Sequence, residues 1–470
     1  MLFNSHLFLV FFAITYVLYL VTRRSLPIQN TLLLIASYVF YGAWDWRFLS
    51  LIWASTAVDY FAAIGIESSR CERRRRLWLF VSVAFNLGLL GFFKYYDFGI
   101  SSFAMLLSQF GFTPHLPTLR LILPVGISFY TFQTMSYSID VYRGKCHAER
   151  DPLVVALYVA FFPQLVAGPI ERASRLMPQL KQARVISRRD VSMGMHQILL
   201  GYFKKVVLAD SIAPMVDQVF ASPHSYSGMI ALLATLGFAV QIYGDFAGYS
   251  LIARGLARLM GIELMVNFRF PYFAESPRDF WRRWHISLSS WLQEYLYIGL
   301  GGSRRGRART CVNLMVTMVL GGLWHGAAWN FVLWGVYHGV LLVIWHTFEG
   351  LGIGWKRKRA LGYFFSISTT MGFTLFGWIL FRCSSTAQIA DFTWQIMTDL
   401  RWTPEAWHFA VPVLSSFVLL QAFHYWQMVA QDEFVLLRLP LPQRCAAFAF
   451  LFVSIVTVGF HSTPFIYFQF

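Results

Sequence analysis

His325 lies in Gly321-Gly322-Leu323-Trp324-His325-Gly326, inside an apolar run from Cys311 to Trp345. Two basic clusters flank that run, Arg304 to Arg309 and Lys356 to Arg359. An ionisable side chain in such a segment is costly to bury, so by default it marks a functional site with a partner. Histidine is also the side chain best suited to take and return a proton near neutral pH. His285, in Phe280-Trp281-Arg282-Arg283-Trp284-His285-Ile286-Ser287, is the second candidate. A lone histidine on an apolar helix is more often a satisfied core residue. The cost of burial in a membrane moves the balance toward function.

The chemistry that suits such a pair is acyl transfer to a hydroxyl. A sugar hydroxyl is a weak nucleophile, and an imidazole within hydrogen-bond reach removes its proton as it attacks a thioester or ester carbonyl. The tetrahedral intermediate then needs a donor, which a second histidine, a backbone N–H or Asn330 could supply. His338, in Trp334-Gly335-Val336-Tyr337-His338-Gly339, is either a supporting group or a packing residue that hydrogen-bonds across helices. Asp245, at the end of another apolar span, reads first as a salt bridge or helix-end cap and second as an orienting group.

These residues need elements to hold them. The 470 residues are 57% hydrophobic and 13% charged, about half the charge of an ordinary soluble domain. Mean hydropathy is +0.52. Long apolar windows recur from end to end, which predicts an all-α, polytopic transmembrane helical bundle forming a single domain over 1–470. Candidate spans lie near 7–21, 30–44, 48–66, 77–93, 121–140, 195–212, 229–247, 361–381, 409–429 and 445–461. The first, without a basic stretch before it or a small-residue cleavage site after it, reads as a retained helix. Two further stretches, 153–168 and 311–348, begin and end at loops of one side and read as re-entrant or broken segments. Phe162-Pro163 and Gly168-Pro169 interrupt the first. His325 falls near the turn of the second and is expected to line a cavity, because irregular backbone at membrane depth survives only against protein or water. Between 280 and 295, Trp281, Trp284, Leu288, Trp291 and Tyr295 recur at helical spacing and predict one amphipathic helix carrying His285.

Lys and Arg number 39 against 23 Asp and Glu, a net charge of +16. The excess falls in loops between apolar segments, the pattern of cytoplasmic loops rather than of nucleic-acid binding. With Arg23, Arg24 and Arg70 to Arg76 inside, both termini are predicted on the outer, periplasmic face of the inner membrane. Some loop charge could also attract a phosphorylated donor such as a coenzyme. Five scattered cysteines without a C-x-x-C pair give neither a metal site nor a disulfide framework. Phosphate-binding loops, dinucleotide fingerprints and a G-x-S-x-G elbow are not found.

Several long motifs, in order along the chain, resemble the membrane-bound O-acyltransferase family, in its bacterial polysaccharide O-acetylation branch. They are Leu32 to Tyr41, Leu123 to Arg143, Phe162 to Ile170, Phe280 to Ser289, Leu320 to Gly326 and Ser462 to Phe470. The resemblance implies that His325 matches the family's catalytic histidine and His285 its second signature position. It also implies a cytoplasmic acetyl donor, acetyl-CoA, and acetyl transfer across the inner membrane to periplasmic acetyltransferase partners, with an exopolysaccharide as final acceptor. By analogy with related D-alanylation systems, Tyr467 in the aromatic tail would be a transient acyl acceptor. Two departures, Leu251 after Ser250 and Ser303 in the Gly-Gly-x-Arg turn, leave the polymer open between alginate, cellulose and another glycan. Two alternatives also stay open: a transporter or flippase for a lipid-linked sugar, and an enzyme of the same family using D-alanyl or another acyl group.

Overall fold

The computed structural model describes residues 1–112, 116–351, 360–459 and 465–466. The basic cluster 356–359 and Tyr467 lie outside these residues. Among them every regular element is helical. Among the described residues, eight helical stretches are long and apolar enough to cross a membrane: 6–24, 26–68, 72–109, 228–259, 329–350, 361–382, 406–430 and 441–458. This is the polytopic all-α bundle the composition predicts. The chain divides into two compact units, residues 1–194 with 253–265 and residues 195–252 with 266–470.

The first unit contains α1 (His6–Val21), α2 (Leu26–Asp45), α3 (Leu49–Ser68), α4 (Glu72–Leu90), α5 (Tyr96–Gln109), α6 (Ile127–Tyr142), α7 (Pro152–Ala160), α8 (Phe162–Leu165) and α9 (Ala173–Leu180), and it includes the start of α10 (Arg188–Tyr202). Its interior is built on α3, α4 and α6, which hold a buried polar cluster. Asp59 accepts from Asn86 Nδ2 at 2.6 Å, from Ser138 Oγ at 2.6 Å and from Ser82 Oγ. Ser55 donates to the Asn86 amide oxygen at 2.7 Å. Such bonds hold apolar helices together where lipid offers no alternative partner. Two expectations meet different outcomes here. The 153–168 stretch is broken as predicted: α7 ends at Ala160, Phe161 turns out of helical geometry, and Pro163 enters the first turn of the short α8. The 121–140 stretch is not a lipid-facing span. Only α6 forms there, with 14 of its 16 residues buried, so it is a core helix packed on all faces.

The second unit contains the rest of α10, α11 (Ser211–Ala221), most of α12 (Gly228–Leu259), α13 (Pro277–Arg283), α14 (Ile286–Trp291), α15 (Arg307–His325), α16 (Trp329–Gly350), α17 (Ala360–Arg382), α18 (Thr386–Thr398), α19 (Ala406–Ala430) and α20 (Leu441–Val458). The predicted in-and-return stretch is a helical hairpin, α15 and α16, with its turn at 326–328. At 1.5 Å per residue the limbs are about 28 and 33 Å long, close to the hydrocarbon thickness of a bilayer. Glycines let the limbs approach closely. A Cβ on Gly335 would sit 2.5 Å from the Met318 carbonyl oxygen, and one on Gly339 would sit 2.7 Å from Met315 Sδ. Gly335 and Gly339 form the small-xxx-small pattern of close membrane helix pairs.

The stretch 280–295 departs from the predicted single helix. α13 stops at Arg283, Trp284 is extended, and His285 takes the left-handed conformation at φ +43° before α14 begins. The apolar spacing continues through the break, which is why it reads as one helix. The cause of the break lies elsewhere in the chain. The Ile286 N–H donates to the Asn267 carbonyl at 2.9 Å, and the Arg269 N–H donates to the Arg283 carbonyl at 2.9 Å. The 267–269 segment thus supplies partners to both sides of the interruption. A left-handed non-glycine residue costs of order 1–3 kcal/mol and persists only when its surroundings over-determine it.

Candidate active site

All the described candidate residues fall in the second unit, and aromatic rings connect the three histidines. The His285 ring lies edge-on to Phe246 at 4.6 Å and to Trp324 at 5.8 Å. Trp324 in turn meets His325 at 5.1 Å. His325, the last residue of α15, also contacts Trp334 at 5.0 Å and Phe381 at 5.3 Å. Beyond Trp334 lies His338, at 4.7 Å, with Trp281 at 5.1 Å. The structure therefore brings His285 and His325 against the same indole, Trp324, with His338 one ring further on.

Asn267 organises the His285 end, and sequence reading did not single it out. Its side-chain oxygen lies 3.2 Å from the Ser287 backbone N–H, 2.9 Å from Ser287 Oγ and 3.1 Å from His285 Nδ1. Its Nδ2 donates to Ser250 Oγ at 3.2 Å. A backbone N–H can only donate, so the amide atom facing it is the oxygen. His285 Nδ1 therefore carries the proton, and Nε2 is the basic nitrogen of the ring. Burial pushes the His285 pKa down to about 3, because charging an enclosed imidazole sacrifices its hydration. At neutral pH this ring is uncharged.

His325 retains 4% of its surface and His285 none. The His325 ring keeps this small accessible surface among the rings of Trp324, Trp334 and Phe381. Those three rings come from α15, α16 and α17. The Asn330 amide Nδ2 donates to the Phe381 carbonyl at 3.4 Å and so ties the start of α16 to the end of α17. Asp245 is in the salt bridge preferred from sequence. Its Oδ1 lies 2.8 Å from Lys205 Nζ, which also meets Asp210 at 2.9 Å, and all three side chains are buried. Its Oδ2 accepts from the Ile466 N–H at 2.7 Å. That bond docks the described end of the tail, with the Phe465 ring 4.9 Å from Tyr249 and 5.7 Å from Phe246. Phe246 thus stands between the tail and His285. Among the described residues no group of three His, Cys, Asp or Glu is disposed to hold a metal.

A sequence profile of the membrane-bound O-acyltransferase family matches residues 148–351, which include His285 and His325. The chain is 41% identical to a "Probable alginate O-acetylase AlgI" of Azotobacter vinelandii, over 84% of this chain and 77% of that protein. It is 34% identical to a "Peptidoglycan O-acetyltransferase" of Helicobacter pylori, over 82% of this chain and 77% of that one. It is 28% identical to a "Teichoic acid D-alanyltransferase" of Bacillus subtilis, over 57% of this chain and 71% of that one. These likenesses decide for an enzyme over a transporter. The chain belongs to the membrane-bound O-acyltransferase family and is an O-acyltransferase.

Proposed function

We propose that this enzyme moves acetyl groups from a cytoplasmic donor, acetyl-CoA, across the inner membrane for O-acetylation of a secreted polysaccharide. The observation that carries the reading is the pairing of His285 and His325 about Trp324, with Asn267 fixing one tautomer. His325, the more exposed of the two, takes the proton from the attacking hydroxyl. His285 is held neutral and braces Trp324. His338 packs behind Trp334 as a supporting group, and Asn330 and Asp245 hold the wall rather than touch substrate. Acetyl is favoured over D-alanyl because the acetyl-transferring relatives are more similar and cover more of the chain.

The test is turnover of labelled acetyl-CoA by the purified full chain, and transfer of the label to an oligosaccharide once periplasmic partner acetyltransferases are added. His325→Ala should lower the rate by about 10²–10⁴-fold, the usual contribution of a positioned base. An unchanged rate would remove His325 from the chemistry. Transfer from a D-alanyl donor but not from acetyl-CoA would favour the second reading.

The basic loops are taken as cytoplasmic and both termini as periplasmic, where partner acetyltransferases would receive the group. Tyr467 is the proposed relay. Tyr467→Phe should abolish polymer acetylation while leaving donor turnover measurable, and full acetylation by that variant would end the relay idea.

A further inference from the structure

The Asn330 amide spends one of its two N–H groups on the Phe381 carbonyl at 3.4 Å, which directs attention to other donors for the reacting carbonyl oxygen. Three indoles near the histidines, Trp281, Trp334 and Trp378, each carry a buried N–H with no hydrogen-bond acceptor among the described residues. Native proteins pair roughly nine in ten buried polar groups, and an unpaired one costs about 1–3 kcal/mol. Three such donors in one aromatic cluster, beside two candidate bases, therefore call for a functional explanation. An indole N–H can only donate. Trp334 is the indole with the right position. It is 1% exposed, and its ring contacts both His325 at 5.0 Å and His338 at 4.7 Å. The Trp378 ring instead packs on Trp284 at 4.8 Å and Phe381 at 5.8 Å.

We infer that the Trp334 indole N–H is a catalytic donor that binds the acyl carbonyl oxygen as it becomes an oxyanion beside His325. The assignment rests on His325 being the base. As the acceptor hydroxyl oxygen bonds to the acyl carbon, its proton passes to the imidazole. The carbonyl π pair moves onto oxygen, where the indole N–H meets it. Collapse re-forms the carbonyl and breaks the carbon–sulfur bond of the thioester. The leaving sulfur takes the proton back from the imidazolium, so an ester and a thiol are formed without an oxidant or reductant.

The experiment compares Trp334→Phe, Trp378→Phe and His325→Ala in the purified full chain with acetyl-CoA. One lost oxyanion donor typically costs about 10²–10³-fold in kcat. Trp334→Phe should show that loss with KM within about twofold, while Trp378→Phe, which also deletes a buried indole, should stay within about twofold of the unaltered protein. Equal losses in both tryptophan variants would overturn the assignment, because packing alone would then explain them. If Trp334→Phe does not fold, benzothienylalanine at that position keeps the shape and replaces N–H by sulfur. It should show the same loss, and full activity would overturn the assignment. If His325→Ala is inactive while both Trp334 variants turn over normally, only the donor assignment falls. An active His325→Ala would overturn both readings.

Discussion

At the scale of residues, one amide oxygen decides the state of a histidine. Asn267 takes three donors on its carbonyl, and one of them is the His285 ring. Asn267→Leu keeps the approximate volume and removes the acceptor. It should lower kcat about 10–100-fold, the usual effect of losing the group that orients a functional imidazole, with little change in KM. The depressed pKa of His285 has its own signature. Between about pH 6.5 and pH 3 the unfolded chain binds a proton there that the folded chain does not. Its contribution to stability is therefore complete above 6.5 and declines as the pH falls, by up to about 1.4 kcal/mol per pH unit. Thermal unfolding in detergent should show a shallower acid loss for His285→Asn than for the unaltered protein; parallel curves would mean that the ring is not buried neutral. Sequence reading found the histidines because an ionisable group in an apolar run is visible locally. It missed Asn267 and Trp334 because their meaning comes from contacts with segments that local spacing does not reveal.

At the scale of elements, the break at His285 and the α15–α16 hairpin set the geometry. The hairpin was legible: basic residues at both ends of one apolar run forced a return, and the glycines marked close approach. The break was not. Trp281, Trp284, Leu288 and Trp291 keep helical spacing across it, and the interrupting hydrogen bonds come from 267–269. Gly335 offers the sharpest element-level test. A side chain there meets the Met318 carbonyl, so Gly335→Leu should force the limbs apart and cost about 1–3 kcal/mol or more. A clear drop in unfolding temperature, with loss of transfer activity, is the expected outcome. A variant as stable and active as the parent would show that the limbs do not depend on this contact.

At the scale of the whole molecule, apolar length pointed to the eight spanning-length stretches among the described residues, but the 121–140 and 195–212 windows are not among them. Windows alone could not distinguish a lipid-facing helix from a buried one such as α6. Orientation rests on loop charge. Cys71 is exposed beside Arg70 and the run Arg73 to Arg76. In a variant retaining only this cysteine, a membrane-impermeant maleimide should label it in inside-out vesicles and not in intact cells. The reverse pattern would invert the topology.

The bond between Asp245 and the Ile466 N–H joins positions 221 apart in sequence. Contacts of that separation form late, because a long loop must close before they contribute. The ring wall beside His285 is then finished only when Phe465 arrives against Phe246. During renaturation into micelles, helical circular dichroism should therefore recover in an early phase and enzymatic turnover in a slower one.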